Sequence, residues 1–257
     1  MYNKVKALFK RVVYRLNPDI KFGSFWSEFW LKHVEPISIF GHWFILPFNG
    51  QARRLFCFSV ISFLFKPTIG IETGTYYGTS TYLFRGIPTL RKTYSIESNS
   101  AFFKVSLARL ERQVTDGNLT LINGDSKLEI ANILAGLDPE TDRVIAYLDA
   151  HWEGDIPTTK EVMALLDWRG NWVAIIDDFE IPGPEGFGYG YDSYNGKTVN
   201  TEIFNDLKDF SILIPADGAL METGARRGTA YLVGGKARQD LVKLIEVNLP
   251  LKLLQSR

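Results

Sequence analysis

Cysteine is all but missing from this chain. Cys57 is the only one in 257 residues, so no intramolecular disulfide can staple the fold. That suits a reducing compartment, and a cytoplasmic location is the expectation. A surplus of charge is lacking as well: Lys and Arg together number 29, and so do Asp and Glu. Proteins that track a polyanion carry a clear basic excess, so no nucleic-acid partner is expected. Long apolar runs are also scarce. The most apolar stretch, Leu55 to Phe65, is about half the length that crosses a bilayer, and it reads as a buried helix. The opening segment is basic but has no continuous apolar core of the kind a secretory signal carries. An integral membrane protein is therefore not expected, and no internal repeat is found.

What is present suits one α/β domain with an appendage: 46% of residues are hydrophobic and 14% aromatic. Residues 1–66 read as a helical, aromatic-rich extension and 67–257 as the main domain. Within the extension, residues 4–16 place Lys4, Lys6, Lys10, Arg11 and Arg15 around Val5, Leu8, Phe9, Val12, Val13 and Leu16. This is the pattern of an amphipathic helix with a positive face. Phe22, Phe25, Trp26, Phe29, Trp30, Trp43 and Phe44 follow it. Three roles fit: a cap packed on the main domain or on a second copy in a homo-oligomer, a peripheral contact with anionic lipid, or a lid over a substrate pocket.

Beyond Lys66 short apolar runs alternate with helical stretches. Strands are expected at Thr68–Glu72, Lys92–Glu97, Leu119–Asn123, Arg143–Asp149 and Asn171–Asp177. Helices are expected from about Thr79, over Ala101–Gln113, Ser126–Leu134 and Thr158–Trp168. Such alternation implies a parallel sheet covered on both faces. Thr201 to Phe210 reads as a further helix. Ser211–Pro215 and Thr229–Val233 then have no room for a crossover helix between them and should pair as an antiparallel hairpin. The expected fold is a Rossmann-like, seven-stranded, mostly parallel sheet. The segment from Ile181 to Lys197, rich in Gly and Pro and interleaved with Phe187, Tyr189, Tyr191 and Tyr194, reads as a loop beside the ligand edge of such a sheet.

Chemistry concentrates at the expected strand ends. Glu72-Thr73-Gly74-Thr75-Tyr76-Tyr77-Gly78-Thr79-Ser80 spans a strand end, a turn and a helix start. Its glycines permit close backbone approach and its helix start offers N–H groups to an anion, though an ordinary tight turn has the same form. The spacing is G-x-x-x-G, not the G-x-G-x-x-G of dinucleotide binders. Glu97 ends the second strand, where a carboxylate can accept both hydroxyls of a ribose, in NAD and in adenosylmethionine alike. Asp125 and Ser126 follow the third strand, placed either to cap the next helix or to meet an adenine amino group. Asp149, with His151 and Trp152 just beyond it, ends the fourth strand, and Asp177-Asp178 end the fifth. Adjacent strands lie about 4.8 Å apart, so three carboxylates would crowd together and repel. A hard divalent cation such as Mg²⁺ would relieve that. His151 stands beside them with a side chain suited to proton abstraction.

Together these residues resemble the metal-dependent class I O-methyltransferases of the catechol and macrolide-sugar types, over about Thr68 to Gly183. The resemblance implies a cofactor rim headed by Glu72, with Gly74, Thr75, Tyr76, Gly78 and Ser80 around the methionine part of S-adenosyl-L-methionine. It implies Glu97 on the ribose, Asp125, Ser126 and Trp152 on the adenine, and Asp149, Asp177 and Asp178 on Mg²⁺. Catechol-type members carry His-Trp-Lys directly after the metal-binding aspartate. Here Ala150 intervenes and Glu153 replaces the lysine, which points to His151 as the base. The implied substrate is a small-molecule or glycan hydroxyl. An NAD(P)-dependent oxidoreductase, a metal-dependent glycosyltransferase and a cofactor-free binding module on the same scaffold are the competing readings.

Overall fold

Residues 46–150, 156–183 and 187–257 are described by a computed structural model. The amphipathic segment 4–16 and its aromatic sequel, and likewise His151 and Trp152, lie outside the described residues.

Five strands run parallel, β1 (Ile69–Thr73), β2 (Lys92–Glu97), β3 (Leu119–Asn123), β4 (Arg143–Leu148) and β5 (Asn171–Ile176). Between them stand α2 (Thr79–Phe84), α3 (Ser100–Arg109), α4 (Glu111–Thr115), α5 (Ser126–Ala135) and α6 (Thr158–Trp168). A helix between consecutive strands is what parallel pairing needs, because the chain must return to the same edge before starting again. After β5 this rhythm stops. A short ladder of β6 (Ser193–Tyr194) with β7 (Lys197–Thr198) lies in the Tyr- and Gly-rich loop. Then β8 (Phe210–Pro215) and β9 (Ala230–Gly234) pair antiparallel, as their short connection demands, and β9 joins β5.

Among the described residues the sheet has eight strands, not seven, in the order β10-β8-β9-β5-β4-β1-β2-β3. The extra one, β10 (Leu251–Ser256), follows helix α7 (Arg238–Asn248) and pairs antiparallel with β8. Pro250 cannot continue a helix, so the chain turns out of α7 directly into this edge. Two expected helices come out differently. Ala101–Gln113 breaks at Leu110 into α3 and α4, where the buried Leu110 side chain reaches Gly78. Thr201–Phe210 forms only a 3-10 turn, Thr201–Phe204. The remaining residues bring the chain to Phe210, with Asp209 in the left-handed region at φ 69°.

Both faces of the sheet are covered. On one, α1 (Ala52–Phe65), α2 and α7 pack through Phe58, Ile61, Leu83, Phe84, Leu241 and Ile245. On the other, α5 and α6 pack through Ile130, Leu134, Val162 and Leu165. Helix α1 buries Leu55, Phe58, Ile61 and Phe65, each contributing about 1.5–3 kcal/mol. It is thus part of the main core. Its first turn carries no side-chain cap of its own. Instead the distant Glu222 carboxylate accepts the N–H groups of Arg53 (2.9 Å) and Arg54 (3.1 Å), and Thr223 Oγ1 accepts that of Ala52 (2.9 Å). These are donors that every helix start leaves unmatched, and satisfying them fixes where Arg54 points. No helix among the described residues is long and apolar enough to cross a membrane.

Candidate active site

Register brings the strand tips to one edge. Thr73 is level with both Ile96 and Leu148, and Leu148 with Ile176, so Glu97, Asp149 and Asp177 each stand one residue beyond. The backbone continues the ladder there: Asp149 N–H donates to Thr73 O (3.1 Å) and Asp177 N–H to Leu148 O (3.1 Å). Parallel sheets of this kind bind ligands at this edge.

The glycine turn between β1 and α2 is held tightly from below. Gly74, Tyr76 and Gly78 all have positive φ, the conformation that glycine adopts without steric cost. At Gly74 a Cβ would strike the Asp149 carbonyl, so glycine lets β1 and β4 close on each other. The N–H groups of Gly74 and Thr75 donate to Ile96 O (2.9 and 3.2 Å), and Thr75 Oγ1 lies 2.6 Å from Ser95 Oγ. Beneath them Glu72 is 1% exposed and accepts from Ser95 Oγ (2.6 Å) and Thr81 Oγ1. Burial pushes its pKa up to about 8. Ser80 Oγ accepts from Phe48 N–H (3.1 Å). Glu72 and Ser80, both expected on the rim, thus brace the turn from behind.

At the tip of β2, Glu97 Oε2 accepts Tyr76 N–H (2.8 Å) and Oε1 accepts Asn99 N–H (2.8 Å). A carboxylate oxygen can accept twice, so Glu97 retains acceptor capacity while its position is fixed. Beside it Tyr76, Tyr77 and Phe102 form a ring cluster, with centroids 4.3 to 5.7 Å apart. Past β3, Asp125 caps α5 by accepting Lys127 N–H (3.0 Å), and Ser126 is buried. These residues suit a nucleoside bearing a diol and an aromatic base: a fixed acceptor for the hydroxyls, with rings beside it.

The acidic cluster is arranged differently from expectation. Asp177 is wholly buried, and Oδ1 accepts from Arg54 Nη2 (2.6 Å) and Asp178 N–H (2.7 Å). Its Oδ2 accepts from Tyr147 OH (2.6 Å) and Asn49 Nδ2 (2.9 Å). The Tyr147 hydroxyl also lies 3.3 Å from Asp149 Oδ2. Asp178 is ion-paired with Arg227 Nε, and Arg227 Nη2 reaches Asp192 of the loop at 2.5 Å. Burial, then the charges of Asp177 and Asp178, raise the Asp149 pKa well above the carboxylate range. Burial and the carboxylates of Asp178 and Asp192 raise that of Tyr194.

These positions were expected to hold Mg²⁺, and the donor set does not fit that ion. A cation of this kind needs oxygen lone pairs turned toward one point, and Asp177 has spent its four on protein donors. Among the described residues no three His, Cys, Asp or Glu side chains are placed to hold a metal. Of the expected trio, Asp177 is held by Arg54 and Asp178 by Arg227, while Asp149 is linked to them through the Tyr147 hydroxyl. Four partners escaped the sequence reading: Asn49, Arg54, Tyr147 and Arg227. The last three left a signal. Arg54 is a cation inside an apolar helix, Tyr147 stands two residues before Asp149 and so on the same strand face, and Arg227 closes an Arg-Arg pair before the last hairpin strand.

No family model and no curated protein matches the chain. Solved structures do. An O-methyltransferase from Bacillus cereus, solved with S-adenosylhomocysteine, is similar over 91% of this chain and 100% of its own, with a TM-score of 0.52 at 16% identity. The O-methyltransferase TomG of tomaymycin synthesis from Streptomyces achromogenes, solved with S-adenosylmethionine, is similar over 69% of this chain and 77% of its own, with a TM-score of 0.50 at 19% identity. The fold is that of these O-methyltransferases.

Proposed function

We propose that the chain is an S-adenosylmethionine-dependent methyltransferase whose acceptor is a hydroxyl group on a small molecule, a sugar or a glycan. The observation that carries the reading is the strand-tip edge itself. The Gly74–Gly78 turn, the anchored Glu97 and the Asp125 cap line one side, on a fold shared with O-methyltransferases solved with this cofactor and its product. Glu97 would take the ribose hydroxyls, with Asp125 and Ser126 near the base and the Gly74–Gly78 turn along the methionine part. Trp152 would join the base.

When bound, the cofactor supplies a methyl group on a positively charged sulfur. The protein's own task is to align an acceptor oxygen behind that carbon, to take the hydroxyl proton and to keep water out. Alignment alone supplies a large share of such accelerations. His151, two residues past Asp149, is the proposed base. The aromatic loop from Phe187 to Tyr194 would form the wall against the acceptor, with Tyr194 beside Asp178 and Asp192. No step in this account passes through a metal ion.

Calorimetric titration of the full chain with S-adenosylhomocysteine and, separately, with NADH tests the reading. Binding of the first and not the second is expected. The reverse result would assign the chain to the oxidoreductases.

A further inference from the structure

We infer that the guanidinium groups of Arg54 and Arg227 occupy the electrostatic place of a divalent cation at this site, so that the strand-tip carboxylates work without a metal. The inference deepens the methyl-transfer reading and rests on it for the reaction concerned; the ion pairs stand independently of it.

Asp177 and Asp178, adjacent buried carboxylates at one strand tip with Asp149 beside them, require compensation, because buried like charges raise each other's energy steeply. Two sources could provide it, a cation from solution or cations from the chain, and the partners distinguish them. The Arg54 side chain is 1% exposed and meets Asp177 at 2.6 Å. Its other contacts are the Tyr147 hydroxyl (3.2 Å) and the carbonyl oxygens of Arg227 (3.1 Å) and Gly228 (3.4 Å). Burial is the largest influence and works against its charge, but Asp177, Tyr147 and Tyr231 together outweigh it, and its pKa stands above the ordinary arginine value. Arg227 reaches Asp178 on one side and Asp192 on the other.

Placement of Arg54 is not incidental. Its own backbone N–H is gripped by Glu222 and the neighbouring N–H groups by Glu222 and Thr223, so one loop fixes the helix start from which the side chain leaves. Tyr147 then carries the interaction on to both Asp177 and Asp149. A metal ion here would have to displace these donors and sit beside a buried guanidinium, two costs with the same sign. Arg54 acts through Tyr147 and Asp177 and is a positioning residue.

Manganese titration followed by electron paramagnetic resonance tests this on the full-length protein, using Mn²⁺ as the probe. Wild type and the charge-conserving Arg54→Lys should leave the free-ion signal unchanged at millimolar Mn²⁺. Arg54→Met and Arg227→Met, which release Asp177 and Asp178, should each gain Mn²⁺ affinity by at least ~10-fold, the scale of one charge-assisted contact. Arg227 is partly exposed, so its variant decides the matter if Arg54→Met does not fold. Two results would overturn the inference: tight Mn²⁺ binding by wild type that Asp177→Asn abolishes, or folded methionine variants that gain none. S-adenosylhomocysteine binding with and without EDTA runs alongside. Its complete absence would sink the methyltransferase reading and leave the manganese result to judge this one.

Discussion

Arg54 and Asp177 form an ion pair 2.6 Å long that is closed to solvent, with side chains 1% and 0% exposed. One comes from the first turn of α1 and the other from the tip of β5, so the pair ties a helix outside the strand–helix alternation to the strand-tip edge of the sheet. Stability and site geometry therefore share the same atoms.

Removing one partner strands the other as a buried charge. Arg54→Met should cost about 3–5 kcal/mol. Asp177→Asn should cost a similar amount, since it leaves Arg54 as the unpaired buried charge and turns an NH2 group toward donors that Asp177 accepts from. In the double variant the loss should be smaller than the sum of the singles, because neither orphaned charge remains. Urea denaturation of the four proteins measures this. Strict additivity would mean that the pair contributes only as separate side chains.

Glu72 should make stability depend on pH in an unusual direction for a carboxylate. Its pKa is about 8 in the folded state against an ordinary value of 4.5. Between those values the folded form keeps a proton that the unfolded chain has released, so stability falls as pH rises through the window. Glu72→Gln is neutral throughout and should flatten the decline, leaving the variant more stable than wild type above pH 8. Thermal melting across the range provides the check; parallel curves would refute it.

Much of this was readable from residue order alone. Lys92–Glu97, Leu119–Asn123 and Thr158–Trp168 match the observed elements end to end, because β-branched runs and helical periodicity are local signals. The edge strand Leu251–Ser256 was not readable: Lys252 and Leu253 lie exposed and the pairing shifts after Leu253, so no clean alternation survives. The tip carboxylates were legible as a group, since strand ends converge in any parallel sheet. Their partners were not. Arg54 lies 123 positions before Asp177, and what joins them is the packing of α1 under the sheet, a tertiary fact with no periodicity.

Asp125 has a structural role that substitution can isolate from the adenine contact proposed for it. Its side chain caps α5 through Lys127 N–H at 3.0 Å. Loss of such a cap costs about 0.5–2 kcal/mol, whereas asparagine caps as well as aspartate. Asp125→Ala should therefore lower stability by ~1 kcal/mol while Asp125→Asn leaves it unchanged. Equal destabilisation by both, measured by denaturant unfolding, would show that the cap is not what Asp125 contributes.

Glu97 offers the sharpest separation of scaffold from ligand. Its two oxygens each hold one backbone N–H, from Tyr76 and Asn99, and those bonds set the turn and the start of α3. Glutamine keeps one of these acceptors and sets an NH2 group against the other backbone N–H, so one anchor is lost and a ribose would also meet a mismatched group. A hydrogen bond to a charged group contributes roughly 1.5–3 kcal/mol. Glu97→Gln should therefore weaken S-adenosylhomocysteine binding by about 10- to 100-fold, with the far-ultraviolet dichroism unaltered. Glu97→Asp keeps the charge but shortens the reach, and should fall between the two. If calorimetry finds the glutamine variant binding as tightly as wild type, the ribose does not sit at the tip of β2, and the cofactor orientation proposed above has to be abandoned.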